Sequence, residues 1–444
     1  MPREDQIITA KNDKPIEKCD EDIFGWKDHA RMLAKLITHE SNDDVALGIS
    51  APWGSGKSSM LNLIKEQINE IGIDPKPIIV EFDPWFYGSE EKVIHSFFET
   101  LAKAIFKENH PTREAISKIM GYLSKILTKT PDLPSTFTPN PLVTEAINFA
   151  KQFLGILTGD LKDWIGHGSL NSFQDVKKLL ISLLSEAHKE KELPQIIIMI
   201  DDLDRLQADE ALTMLKIIRL VTDLPCIRSI VAFDEEATGR LIESKVRDGA
   251  SYIRKIITVP TYLPNPEPEK LKNYFFNDVE SVINNNGISI NYTFLTKEKI
   301  IESIKTLRNA KVIINMFKVV ASCLGNQINT QEYLSLCVIY IIAPELYSRL
   351  RKIYPPFYQR EDRVIVNETR IQEYIKQLQL DKEDNNTLSG KIKDLKELLS
   401  AVFKDPGDQG VQSSSVFKAG RKEIYFRQNL DLFFTLKEKI EITD

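Results

Sequence analysis

Ala51-Pro52-Trp53-Gly54-Ser55-Gly56-Lys57-Ser58 lies between an apolar run, Val45 to Ser50, and a helical pattern carrying Met60, Leu61, Leu63, Ile64 and Ile68. Strand, glycine loop and helix in that order predict a parallel α/β sheet with a phosphate-cradling loop at its edge. Small residues let such a loop wrap until backbone N–H groups point inward, and the helix adds the positive end of its dipole. Gly54, Ser55, Gly56, Lys57, Ser58 and Ser59 are therefore the candidate phosphate-binding residues. Lys57 would reach the β- and γ-phosphates, and the Ser58 hydroxyl would ligate Mg²⁺. Taken alone, the octet also reads as a plain glycine turn before a helix.

A second element supports the first. Ile196-Ile197-Ile198-Met199-Ile200 is a buried-strand run that delivers Asp201 and Asp202 at its C-terminal end, the edge where ligands sit in open α/β sheets. Asp201 would hold the Mg²⁺ shell through water, and Asp202 would polarise the attacking water. Two solvated or capping aspartates after a core strand are the alternative. No Asn/Thr-Lys-x-Asp run of the kind that reads guanine follows, so ATP is the expected nucleotide. The extra strand Ile78 to Phe82 and the acidic tandem suit P-loop ATPases that use an additional catalytic acid.

Outward from these motifs, the apolar runs at Ile78 to Phe82, Ile196 to Ile200, Ile227 to Phe233 and Ile256 to Pro260 alternate with helical stretches, the rhythm of a parallel sheet flanked by helices. An amphipathic helix, Trp26 to Ile37, precedes them. The predicted organisation is a P-loop core in two parts, 20–108 and 193–264. A helical insertion, 109–192, separates them, and a mostly helical C-terminal domain, 265–444, follows.

Among 444 residues, 58 Lys and Arg stand against 64 Asp and Glu, for a net charge of −6. That excludes a globally basic nucleic-acid coat, and there is no strong nucleic-acid signal. Four scattered cysteines and six dispersed histidines show neither a disulfide framework nor metal-ligand spacing. The polar start, Met1 to Lys18, has no signal-peptide pattern. Leu142 to Ile165 is interrupted by charges at helical spacing, so no transmembrane segment is expected. A cytoplasmic protein is anticipated, with the stripe Val143 to Trp164 as the sole invitation to peripheral membrane association.

The motifs resemble those of the KAP family of P-loop NTPases. The likeness rests on Trp53-Gly54-Ser55-Gly56-Lys57-Ser58, Phe82-Asp83-Pro84-Trp85, Asp201-Asp202-Leu203-Asp204-Arg205, Val231-Ala232-Phe233-Asp234, Tyr252 to Ile257, and Leu307 to Lys311 with Asn315. Phe434 and Leu436 sit in a stretch similar to a further family segment. The sequence departs from the family at Ala51, usually Gly, at Asp83-Pro84, usually Asn-Ala, and at Thr258, usually Gln. The resemblance implies an ATP-dependent conformational switch, often in plasmid or prophage settings linked to phage exclusion or defence.

Arg254 and Arg308 are the candidates for a charge-neutralising arginine, acting in cis or from a neighbouring subunit. Asp204 and Arg205 either tune the site or form a surface ion pair. Trp85 reads first as a core aromatic, and Asp234 as either a γ-phosphate sensor or a helix cap. The expected activity is Mg²⁺-dependent ATP hydrolysis that drives a conformational or assembly switch, with self-assembly or with partner proteins encoded nearby. A phosphotransferase, a nucleic-acid-stimulated ATPase and a non-hydrolysing nucleotide-binding scaffold are the rivals.

Overall fold

The computed structural model describes residues 13–39, 45–107, 110–129, 173–288, most of 300–347, and 358–364 but for two positions. The stripe from Val143 to Trp164 and the stretch around Phe434 lie outside them. The chain divides into two units, Pro15–Asn265 and Met1–Lys14 with Pro266–Asp444.

In the first unit, α1 (Lys27–Thr38) leads into β1 (Ala46–Ser50), the phosphate loop and α2 (Lys57–Ile71). β2 (Ile78–Phe82), α3 (Glu90–Ile105), α4 (Pro111–Lys129) and α5 (Phe173–Lys189) follow, then β3 (Ile196–Ile200) and α6 (Ala208–Thr222). β4 (Ile227–Phe233), the short helices α7 (Glu235–Ile242) and α8 (Gly249–Arg254), and β5 (Val259–Tyr262) complete the unit.

The five strands are all parallel in the order β2-β3-β4-β1-β5. β4 thus lies between the loop-bearing β1 and the acid-bearing β3, while Ile78 to Phe82 runs along the outer edge of β3. The order explains the composition of the central strands. Every residue of β3 and of β4 is buried, because neighbours cover both strand edges and helices cover the faces. Full burial of each Ile contributes about 1.5–3 kcal/mol relative to exposure. Pro260, which cannot donate to a ladder, is tolerated because β5 is an edge strand.

The helices carry their own start signals. The Ser89 side chain accepts from Lys92 N at 3.4 Å to cap α3, and Gln207 with Glu210 forms a reciprocal capping box on α6. α3 and α6 pack on each other and are joined by Thr213 Oγ1 donating to Glu90 Oε2 at 2.6 Å. α4 packs on α3 and α5 on α4, so the described helices of residues 109–192 share one apolar core with β2, β3 and α3.

The last strand departs from the expected one. It starts at Val259, three residues later than Ile256, because the turn leaving α8 is continued by Ile256 N and Ile257 N, both donating to Ile253 O at 2.9 Å. Ile256 and Ile257 are buried in that turn and not in the ladder. An apolar pair reads alike in either setting, and the tertiary contact decides between them.

α7 and α8 meet at two glycines. A Cβ on Gly249 would stand 2.0 Å from Gly239 O, whereas one on Gly239 would meet Ala250 N at an ordinary 3.5 Å. Gly249→Ala is therefore expected to cost about 3 kcal/mol through forced separation of the two helices. Gly239→Ala should stay within about 1 kcal/mol of the wild type. Chemical denaturation of both variants checks this, and equal midpoints would refute the close-approach argument.

In the second unit, α9 (Pro268–Asn286) begins on a proline at its first turn and ends at Gly287, whose φ of 61° closes the helix in the left-handed region. It packs on α10 (Leu307–Leu324), which packs on α11 (Thr330–Ile342). A short antiparallel pair, β6 (Tyr358–Arg360) with β7 (Arg363–Val364), follows. Among the described residues no helix is long and apolar enough to cross a membrane.

Candidate functional site

The loop after β1 takes a shape that its glycines permit. Gly54 and Gly56 have φ of 81° and 107°, conformations that side chains with a Cβ rarely adopt. Ser55 N donates to Pro52 O at 3.3 Å, and Ala51 N donates to Phe233 O at 3.2 Å, which pins the loop to the end of β4. Ala51 is absent from the residues with positive φ, so alanine there demands nothing that only glycine supplies.

Gly56 is followed at once by α2, with Lys57 and Ser58 in its first turn. The first N–H groups of a helix have no partner within it, and they sit at the positive end of the dipole. Lys57 is buried, and its Nζ donates to Ala51 O at 3.0 Å. The Ser59 hydroxyl accepts from Ile16 N at 3.2 Å, and one turn on, Asn62 Nδ2 donates to Ile16 O at 2.9 Å. The chain before α1 is thus strapped along α2 directly behind the loop.

At the end of β3, Asp201 N donates to Phe82 O at 3.2 Å. Asp202 then turns into the left-handed region, with φ 56° and ψ 32°, steadied by its own N–H donating to Asp201 Oδ1 at 2.8 Å. A non-glycine residue held in this region is uncommon, and here the bend re-aims the side chain after the strand. Leu203–Arg205 forms one 3₁₀ turn, which brings Arg205 Nε to 2.8 Å from Asp202 Oδ1.

The Arg205 guanidinium also lies 5.3 Å from the centre of the Trp85 ring. Trp85 is half exposed and not the core aromatic its type suggested, because the turn after β2 carries it out of the sheet. Asp83 starts that turn, accepting from Trp85 N at 3.1 Å. The parallel register that pairs Phe82 with Ile200 sets Asp83 beside Asp201.

These carboxyls share one partly buried patch. Burial, then the charge of Asp201, pushes Asp202 up to about 6, with Arg205 opposing. Asp83 is raised mainly by burial, its bond from Trp85 N opposing and the charge of Asp201 adding to the rise.

Asp204 completes the crevice, and the sequence ranked it too low. Its Oδ2 is 3.6 Å from Lys57 Nζ, with both side chains about 5–6 % exposed, so this is a buried pair and not a surface one. Its Oδ1 accepts from Asp234 N at 3.3 Å. Asp234 is a helix cap, its Oδ1 accepting from Ala237 N at 3.0 Å. The only hint of the buried role was Asp204's place in an Asp-Asp-Leu-Asp-Arg run.

The structure thus gathers Gly54, Ser55, Gly56, Lys57, Ser58, Ser59, Asp201 and Asp202 onto one sheet edge. Arg254 stands at its margin: Nε is 3.4 Å from Glu235 Oε1, and Glu235 N donates to Ser50 Oγ at 3.3 Å at the end of β1. Arg308 belongs to the other unit, where its Nε donates to Asp13 Oδ2 at 2.6 Å. Thr258 ties β1 to β5, its Oγ1 accepting from Ala46 N at 2.9 Å.

The residues fit Mg²⁺ with a nucleotide. No group of three or more His, Cys, Asp or Glu among the described residues forms a closed metal cage. Mg²⁺ at phosphate sites needs no such cage, since it keeps waters and phosphate oxygens and takes only one or two protein ligands. Ser58 and Asp201 are candidates for that number.

A model of the KAP family P-loop domain matches residues 27–324. The phage T7 exclusion protein of Escherichia coli (strain K12) is 26% identical over an alignment of 289 residues, with 61% of this chain and 37% of that protein covered. The chain thus spans little more than a third of that relative's length. Among solved structures, Cdc6p from Pyrobaculum aerophilum is 12% identical, with 94% of each chain covered and a TM-score of 0.37. The Aeropyrum pernix ORC1 protein, solved in complex with DNA, is 12% identical, with 93% of this chain and 92% of that one covered and a TM-score of 0.35.

Proposed function

This chain belongs to the KAP family of P-loop proteins, and on that premise we propose that it binds ATP with Mg²⁺ and hydrolyses it to drive a conformational or assembly switch. The observation that carries the reading is one sheet edge bearing a left-handed glycine loop, a buried Lys57 and the Asp201–Asp202 pair.

The roles follow from chemistry. Backbone N–H groups of the loop and of the first turn of α2 donate to the phosphate oxygens, and the Lys57 ammonium reaches the β- and γ-phosphates. Ser58 and Asp201 would hold the metal. Mg²⁺, when bound, supplies charge neutralisation on the phosphate oxygens. Asp202 orients the water for in-line attack and takes its proton. Arg205 and Trp85 keep the Asp202 carboxylate in place, and Arg254 supplies positive charge to the transition state.

The output is read from the relative named for phage exclusion. We assign the switch to anti-phage defence inside the cell, through self-assembly or through partner proteins encoded nearby. The test is calorimetry of the wild-type chain with ATP and GTP in the presence of Mg²⁺, run beside a phosphate-release assay. ATP binding with slow release supports the reading. Nucleotide binding with no release at all leaves a scaffold, and release that requires an added metabolite points to a phosphotransferase.

A further inference from the structure

We infer that Asp204 is a latch on Lys57, a positioning residue that holds the loop ammonium away from nucleotide until phosphate displaces it. The inference rests on the nucleotide-binding reading above and deepens it.

In this structure the Lys57 ammonium donates to Ala51 O at 3.0 Å and stands 3.6 Å from Asp204 Oδ2. With both side chains about 5–6 % exposed, water screens the pair weakly, and its attraction far exceeds that of a surface pair. The carboxylate is anchored independently of Lys57. Its other oxygen accepts from Asp234 N at the end of β4, and the 3₁₀ turn after β3 fixes its backbone.

Asp204 therefore cannot follow the ammonium. When Lys57 turns to a phosphate, the carboxylate is left behind, buried and facing the anion that took its partner. The nearest cation on its own turn, Arg205, is engaged with Asp202. Asp204 thus favours the nucleotide-free state and opposes phosphate entry by like charge. A residue that merely supports the site would act in the other direction, since its loss would weaken binding.

Removing the charge separates these roles by sign. Asp204→Asn keeps an oxygen for Asp234 N but no anion for Lys57. It should unfold at lower temperature without nucleotide, because a buried ammonium has lost its counter-ion. It should nonetheless bind Mg·ATP at least about tenfold more tightly, because phosphate becomes that counter-ion. Lys57→Met/Asp204→Asn, which removes both charges, should recover the nucleotide-free melting temperature and lose the affinity gain.

The experiment is thermal unfolding and calorimetry with Mg·ATP on the full chain and both variants. Binding by Asp204→Asn as weak as, or weaker than, that of a binding wild type overturns the latch and leaves the nucleotide reading standing. Failure of the wild type to bind ATP overturns both. If Asp204→Asn does not fold, a folded double variant supports the buried pair. A double variant that also fails assigns Asp204 to holding Asp234 and ends the proposal.

Discussion

Lys57→Ala is expected to weaken ATP binding by at least about a hundredfold, the loss of a buried point charge placed to reach two phosphates. Among the described residues near the loop, Arg205 is turned to Asp202 and Trp85, and Arg254 is paired at the margin with Glu235. The variant also removes the partner of a carboxylate that is 6% exposed. A loss of about 3 kcal/mol in nucleotide-free stability should accompany the loss of binding. The buried apolar strands around the loop are untouched, so a folded protein with lower melting temperature is expected. Calorimetry and circular dichroism on one sample separate the two effects. ATP binding at wild-type strength would remove Lys57, and with it the loop, from the phosphate site.

The parts of this architecture that were legible in the sequence are those written in local pattern. β3 is read directly because a run of five apolar residues, four of them β-branched Ile, is too short for a buried helix and suits a strand covered on both faces, and the aspartates that end the run mark the sheet edge. The loop is read because two glycines and a lysine at fixed spacing before a helical period have few other uses.

What was not legible depends on lateral order. That β4 stands between β1 and β3 is a property of strand pairing, and no residue in β4 announces its neighbours. The Lys57–Asp204 pair exists only because that order brings the ends of β1, β4 and β3 together. From sequence, Asp204 was as consistent with a solvated ion pair as with a buried one. Trp85 stands outside the core for a related reason. An aromatic after a strand is usually core, but Asp83 caps a 3₁₀ turn that swings it outward under Arg205.

Asp202→Asn should leave ATP affinity near that of the wild type and cut phosphate release by about a hundredfold or more. The substitution is benign to the backbone, because asparagine accepts the left-handed conformation that Asp202 adopts at φ 56°. The bond from Asp202 N to Asp201 Oδ1 uses the main chain and survives, and the amide oxygen can still accept from Arg205. What is lost is the carboxylate's negative charge toward Arg205 and its capacity to take a proton. Asp201→Asn provides the contrast, since a weaker hold on metal-bound water should lower Mg²⁺-dependent binding as well as turnover. If ATP drives assembly, Asp202→Asn should also accumulate in the assembled form, because the step that ends that state has been removed. Size-exclusion chromatography in Mg·ATP, run beside phosphate release, reads both. Undiminished release from Asp202→Asn would move the catalytic acid to another carboxyl of the same patch. Asp83, raised by burial beside Asp201, would be the first to test. Asp204, committed to Lys57 and Asp234, would be the second.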